Sequence, residues 1–216
     1  MSAPGPEVIV IDYGVGNLLS VRRGFEHVGA TVTVTGDRER ILSGPRVVLP
    51  GVGAFGNAMR MLHELQLEPV IRQLVARGTP LFGICLGMQL LLDESEEFGT
   101  TAGLGLIRGR VTPIPQRALD GAPLKIPHIG WNALQASGDA SWDTTVLADT
   151  RPGAEMYFVH SYMATPEDSA HRLADCAYGG HRIPAVIGLE NVSGCQFHPE
   201  KSGELGLQIL RRFLLQ

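Results

Sequence analysis

The feature that most constrains this chain is a set of short apolar runs, each of which stops at a glycine-bearing turn and hands over to helical spacing. Val8-Ile9-Val10-Ile11-Asp12 is such a run, ending at Gly14-Val15-Gly16 and followed by a helix-like stretch over residues 17–28. Further strands are expected at residues 31–35 and 46–49, the latter stopping abruptly at Pro50-Gly51-Val52-Gly53. Helical periodicity returns over residues 57–77, with a break near Pro69, before a buried strand at 81–84 and a helix at 86–94. Alternation of this kind predicts an α/β fold, a mostly parallel central sheet flanked by helices. After Gly99 glycine and proline recur among short strand-like pieces at residues 111–114, 156–161, 172–178, 185–190 and 194–197. These read as an antiparallel extension of the sheet, and residues 205–215, apolar at helical spacing, as a closing helix.

Composition narrows the function classes. With 216 residues, 44% of them hydrophobic, the chain can bury the core of one domain, and a single domain over residues 1–216 is expected. A formal net charge of -4 with only 18 Lys and Arg provides no basic surface for phosphate backbones, so nucleic acid is not an expected partner. The most apolar stretch, residues 80–92, is interrupted by Gln89 and falls short of the roughly 20 residues a membrane-spanning helix needs. The N-terminus has no basic head, and Cys85, Cys176 and Cys195 make an odd set without close pairs, so a cytoplasmic protein with reduced thiols is expected. No metal and no cofactor are expected. There is no close cysteine pair, no His-Glu-x-x-His run and no acidic calcium loop, and Leu19 stands where a dinucleotide fingerprint wants its third glycine.

Chemistry concentrates at three places. Gly83-Ile84-Cys85-Leu86-Gly87 sets a cysteine between two glycines at a strand-to-helix junction, the spacing of a nucleophile elbow with sulfur in place of oxygen. The flanking glycines permit a sharp turn that pushes the sulfur out at the sheet's carboxyl edge, and a following helix favours thiolate over thiol. The ordinary alternative is a core cysteine. Gln196-Phe197-His198-Pro199-Glu200 supplies an imidazole and a carboxylate two residues apart, and Pro199 biases His198 toward extended backbone, where such residues share a face. A thiol nucleophile needs that pair: His198 takes the proton and returns it to the leaving amine, while Glu200 fixes the ring's tautomer. Pro50-Gly51-Val52-Gly53 is a glycine-rich stop at the end of a parallel strand, and the amides of Val52 and Leu86 are candidates to receive a tetrahedral oxyanion.

Together with Gly83-Ile84-Cys85-Leu86-Gly87-Met88-Gln89 and His198-Pro199-Glu200, that stop resembles the class I, triad-type glutamine amidotransferases in order and separation, and the likeness spans nearly the whole chain. Asp12-Tyr13-Gly14-Val15-Gly16-Asn17-Leu18, His128-Ile129-Gly130-Trp131-Asn132, Tyr157-Phe158-Val159-His160-Ser161-Tyr162 and Lys201-Ser202-Gly203 look like the branch that serves imidazole glycerol phosphate synthase as its glutaminase subunit. The resemblance implies L-glutamine as substrate, a glutamyl thioester on Cys85, and release of glutamate and ammonia. It also implies that Gln89, Glu97 and the backbones of Gly53 and Ser161 hold the substrate.

Ammonia freed into neutral water is mostly protonated and cannot attack, so it must pass directly to an acceptor site. The implied partner is a (β/α)8-barrel cyclase subunit that uses ammonia to make imidazole glycerol phosphate for histidine synthesis, forming a heterodimer. Asn17, Trp131, Tyr157 and Lys201 are expected at or near that interface, Trp131 on a glycine-containing loop. The competing readings are a glutaminase of another synthase, anthranilate or aminodeoxychorismate type, a γ-glutamyl peptide hydrolase, and a binding module without turnover.

Overall fold

The computed structural model describes residues 5–216. The first half runs β1 (Glu7–Ile11), α1 (Leu18–His27), β2 (Thr31–Thr35), α2 (Arg38–Leu42), β3 (Val47–Gly51), α3 (Phe55–Glu64), α4 (Glu68–Ala76), β4 (Leu81–Cys85) and α5 (Leu86–Gln89). The second half is strand-rich: β5 (Glu94–Ser95), β6 (Thr101–Ala102), β7 (Gly109–Pro113), β8 (His128–Ala133), β9 (Gln135–Ala136), β10 (Glu155–His160), β11 (Tyr162–Pro166), β12 (Arg172–Tyr178), β13 (His181–Leu189) and β14 (Val192–Cys195). Helix α6 (Gly203–Phe213) follows.

Among the described residues, eight strands build the central sheet in the order β2-β1-β3-β4-β14-β13-β12-β9. The five strands from β2 through β14 pair in parallel, and β13, β12 and β9 add on in antiparallel fashion. Helices cover both faces, which is why the inner strands β1, β3 and β4 read as apolar runs, whereas the edge strand β2 alternates Thr and Val. Val8 and Val10 point into one core with Phe25, Phe82 and Phe213, while Ile9 and Ile11 point into the other with Leu49, Phe55 and Leu62. The helices present matching stripes. In α6, Gly206, Ile209, Leu210 and Phe213 are buried at helical spacing, and Phe213 stacks on Phe82 with ring centroids 5.3 Å apart.

Several expectations change. The break before Pro69 falls at residues 65–67, where Gln66 takes φ 58, and Pro69 then sits in the first turn of α4 where its missing N–H costs nothing. The helix expected over residues 86–94 is a single turn, α5. Its continuation is cut off because the carbonyls of Leu90, Leu91 and Leu92 take N–H groups from Leu104, Leu106 and Gly105 instead of from the next helical turn, and Glu94 and Ser95 become β5. The strands expected at residues 111–114 and 156–161 form, but not in the central sheet. The first lies in a four-stranded sheet, β11-β7-β5-β6, and the second in a two-stranded ribbon, β10-β8. Trp131 therefore lies on a strand and not on a loop. The last strand, β14, is antiparallel to β13 but parallel to β4, so it closes the parallel half.

Candidate active site

Sheet register brings the three sequence signals together. Gly51 at the end of β3 pairs with Cys85 at the end of β4, and Cys195, ending β14, pairs with Ile84 on the other side. The glycine-rich stop, the elbow and the chain leading to His198 thus emerge side by side at the carboxyl edge of the sheet.

Cys85 takes φ 56 and ψ -111, a left-handed conformation that costs a non-glycine residue about 1–3 kcal/mol. The elbow is held by close packing of α5 on the sheet: a Cβ on Gly87 would lie 1.8 Å from the Leu49 carbonyl oxygen, and one on Gly83 would lie 2.6 Å from the Gly87 carbonyl oxygen. The glycines therefore serve close approach as well as the turn. Because α5 spans only four residues, its dipole contributes less to the thiolate than a long helix would.

His198 is extended, as the following proline dictates, at φ -102 and ψ 96. Glu200, however, reaches the same face through a 3-10 turn over Pro199–Lys201 and not through a continued strand. The result is still an imidazole whose Nδ1 donates to Glu200 Oε1 at 2.9 Å. The Glu200 side chain is fully buried, and its Oε2 has no hydrogen-bond partner among the described residues. Burial disfavours the charged ring, yet the Cys85 sulfur and the Glu200 carboxylate outweigh it and pull the His198 pKa up to about 9. The same cysteine charge, after burial, raises the Tyr13 phenol far above its usual range, and Tyr13 donates to the Pro50 carbonyl at 2.7 Å, pinning the glycine-rich stop from below.

Cys85 and His198 share a cavity of about 320 Å³ with Val52, Gly53, Leu86, Gln89, Glu97, Val159, His160, Ser161 and Tyr162. All the residues expected to hold substrate or an oxyanion thus line one cleft. Glu97 has a second attachment, since its Oε2 accepts from the Phe55 N–H at 2.5 Å and caps α3. The Ser161 carbonyl accepts from the Ile114 N–H at 3.0 Å, which fixes this backbone at the cleft wall.

The four residues expected at an interface separate into two kinds. Trp131 and Tyr157 are cross-strand partners on the ribbon, edge to face with centroids 6.0 Å apart, and Trp131 is 56% exposed. With Ile129 and Val159 they make an outward apolar face, and Val159 also lines the cleft. Asn17 instead caps α1, accepting from the Ser20 N–H at 3.4 Å, and Lys201 is an exposed cation that ends the turn carrying Glu200. Tyr157 also faces inward through its backbone: its carbonyl accepts the His198 N–H at 3.0 Å and its N–H donates to Ser202 Oγ.

Sequence reasoning missed Ser202, Gln196 and a histidine pair. The Ser202 hydroxyl donates to the His198 carbonyl at 2.7 Å, completing the clamp on the loop. His160 Nδ1 donates to the Tyr162 carbonyl at 2.8 Å, which leaves Nε2 to accept from His128 Nδ1 at 3.0 Å. Burial holds both rings neutral, His160 with a pKa near 3. Their motifs were visible as likeness only; no spacing rule links residues 128 and 160 before the ribbon is known.

The family model for "Glutamine amidotransferase class-I" matches residues 9–216. The imidazole glycerol phosphate synthase subunit HisH 1 of Legionella pneumophila (strain Lens) is 50% identical over 208 residues, covering 96% of this chain and 98% of that protein. The HisH subunit of Geobacillus thermodenitrificans is 49% identical, covering 95% and 93%, and that of Lactococcus lactis subsp. lactis is 44% identical, covering 96% and 98%. Among solved structures, a glutamine amidotransferase superposes with TM-score 0.70 at 17% identity, covering 96% of each chain. PurLQS from Thermotoga maritima superposes with TM-score 0.69 at 18% identity, covering 98% of each. These last two show a shared fold. With a family model over nearly its whole length and relatives near half identity from end to end, the chain belongs to the class-I glutamine amidotransferases, in the branch of the HisH subunits of imidazole glycerol phosphate synthase.

Proposed function

We propose that the chain hydrolyses L-glutamine to glutamate and ammonia as the glutaminase subunit of an imidazole glycerol phosphate synthase, and hands the ammonia to a cyclase subunit docked on the β8–β10 ribbon. The observation that carries this is the meeting of Cys85 and His198 at one cleft, with Glu200 bonded behind the ring, and a rim that at Val159 continues into an exposed apolar face.

In the first half-reaction the Cys85 thiolate attacks the side-chain amide carbon of glutamine. The amides of Val52 and Leu86 receive the oxyanion, a donor of this type being worth about 2.7–4 kcal/mol of barrier. His198, protonated at its cysteine-facing nitrogen, gives that proton to the departing ammonia; Glu200 holds the opposite nitrogen and supports the ring's charge. In the second half-reaction His198 takes a proton from water, which attacks the thioester, and glutamate leaves. Gln89, Glu97 and the backbones of Gly53 and Ser161 hold the amino-acid end of the substrate, Glu97 through the oxygen not used on α3. This chemistry needs neither metal nor cofactor.

The partner is a (β/α)8-barrel cyclase, met by Trp131 and Tyr157 as an apolar anchor and by Lys201 and Asn17 at the rim. Binding there bears directly on catalysis, since Tyr157 carries the hydrogen bond to the His198 N–H. The test is glutamine hydrolysis by this chain alone, with a cyclase subunit, and with the cyclase and its nucleotide ligand. Strong stimulation by the cyclase is expected; full activity of the chain alone, indifferent to the cyclase, would point to a free-standing hydrolase instead.

A further inference from the structure

Gln196 has no role in the chemistry above, yet it is fully buried two residues before His198 and touches the sulfur. Its Nε2 lies 3.7 Å from Cys85 Sγ, across 111 positions of sequence. Its Oε1 accepts from Gln89 Nε2 at 2.9 Å, and that same Gln89 nitrogen donates to the Tyr162 carbonyl at 3.1 Å.

The direction of these bonds follows from their fixed end. A backbone carbonyl can only accept, so Gln89 must turn its nitrogen toward Tyr162. The nitrogen then also meets Gln196, which must answer with its oxygen. Gln196 is left with its nitrogen toward the sulfur. The Tyr162 carbonyl cannot flip or titrate, and its second lone pair is filled by His160 Nδ1, so the orientation does not depend on pH at that end.

We infer that Gln196 is a catalytic hydrogen-bond donor to the Cys85 sulfur, favouring its thiolate, with its orientation set from the Tyr162 carbonyl through Gln89. The assignment rests on Cys85 being the nucleophile. A donor aimed at sulfur strengthens when the sulfur is charged. It therefore acts twice: on the thiolate before attack, and on the same thiolate as it leaves the thioester when water breaks the C–S bond. His198 alone would have to leave one side of the buried anion bare. Gln89 gains a consequence too: with its nitrogen committed, its oxygen is the atom available to substrate, an acceptor suited to a ligand N–H.

The test is the pH dependence of Cys85 alkylation by iodoacetamide, read by peptide mass spectrometry on the full chain. The other titratable groups near the sulfur are His198 with Glu200 behind it, Tyr13 and Cys195, with His160 and Glu97 across the cleft, and all stay in place in the variants. Gln196→Met keeps the volume and removes the donor; Gln196→Glu keeps the shape and sets a carboxylate against the sulfur. The alkylation midpoint should rise by about one pH unit in Gln196→Met, an about tenfold loss of thiolate at fixed pH, and further in Gln196→Glu. A midpoint unmoved in both variants overturns the assignment, whatever happens to turnover, because a purely structural glutamine would change folding or rate without moving the sulfur's titration. If Gln196→Met does not fold, Gln196→Leu, which lacks the donor and brings no charge, takes its place, and an unmoved midpoint there overturns the assignment. Wild-type chain alkylated to completion at Cys85 is the control: turnover that survives it would remove Cys85 as nucleophile, a separate failure from an unmoved midpoint.

Discussion

Glu200→Gln probes the triad most sharply, because the carboxylate it alters is asymmetric. Oε1 accepts a hydrogen bond from His198 Nδ1 at 2.9 Å, whereas Oε2 is buried without a partner among the described residues. A glutamine here must choose. If its oxygen faces the ring, its nitrogen occupies the unpartnered side as an orphan donor, at a cost of about 1–3 kcal/mol. If its nitrogen faces the ring, it donates to Nδ1 and forces the proton onto the nitrogen that should accept from Cys85. The second arrangement leaves only an orphan acceptor, as in the native chain, so it is favoured, and the wrong tautomer follows. Loss of the charge adds to this. A ring held near 9 against an ordinary 6.5 prefers its proton by about 3 kcal/mol, of which Glu200 supplies a share beside Cys85. About 1–2 kcal/mol from charge and a similar amount from the tautomer predict a fall in kcat of about 30- to 10³-fold, with KM for glutamine little changed. The assay is glutamate production in the presence of the cyclase and its nucleotide ligand, with Cys85→Ala in parallel. A loss as complete as that of Cys85→Ala would refute the orienting role, and a rate within threefold of wild type, taken as about 0.7 kcal/mol, would refute the asymmetry argument.

Four further outcomes are expected. Cys85→Gly should melt at a higher temperature than Cys85→Ala by differential scanning fluorimetry, since both lose the thiol but only glycine relieves a backbone at φ 56; an equal or lower melting temperature would argue that the turn is unstrained. Trp131→Ala should leave the melting temperature of the free chain within about a degree yet weaken cyclase binding at least about tenfold by titration calorimetry, and unchanged affinity would remove Trp131 from the interface. Gly87→Ala should yield little folded protein, because its methyl group would fall on the Leu49 carbonyl; a well-folded, active variant would contradict the packing of α5. His160 is held neutral down to about 3 against 6.5 in the unfolded chain, so its share of stability is complete above 6.5 and is lost as pH falls toward 3. Urea unfolding of His160→Gln across that range should show a shallower acid decline than wild type, and identical slopes would count against a buried neutral ring.

The parallel half of the fold was legible because both faces of its strands are covered: apolar runs, glycine stops and helical stripes such as Val70, Ile71 and Leu74 carry their own periodicity. The second half was legible only in part. β5, β6 and β9 have two residues each, too few for any pattern, and residues 128–133 carry glycine, asparagine and histidine that read as loop until pairing with β10 supplies the missing hydrogen bonds. The triad announced itself through local constraints at Gly83, Gly87 and Pro199. Gln196 and Ser202 did not, because their meaning lies in whom they touch, and partners more than forty positions away leave no trace in spacing.

The pairing of β14 with β4 in parallel register has a consequence for how tolerant such an enzyme is to change. Adjacent strands are about 4.8 Å apart whatever their side chains, so the backbone ladder acts as a gauge block between nucleophile and base. Loops, surface helices and the distant edge of the sheet can then be rebuilt freely as docking requirements shift, while the working gap of the chemistry is kept by hydrogen bonds that no side-chain substitution edits.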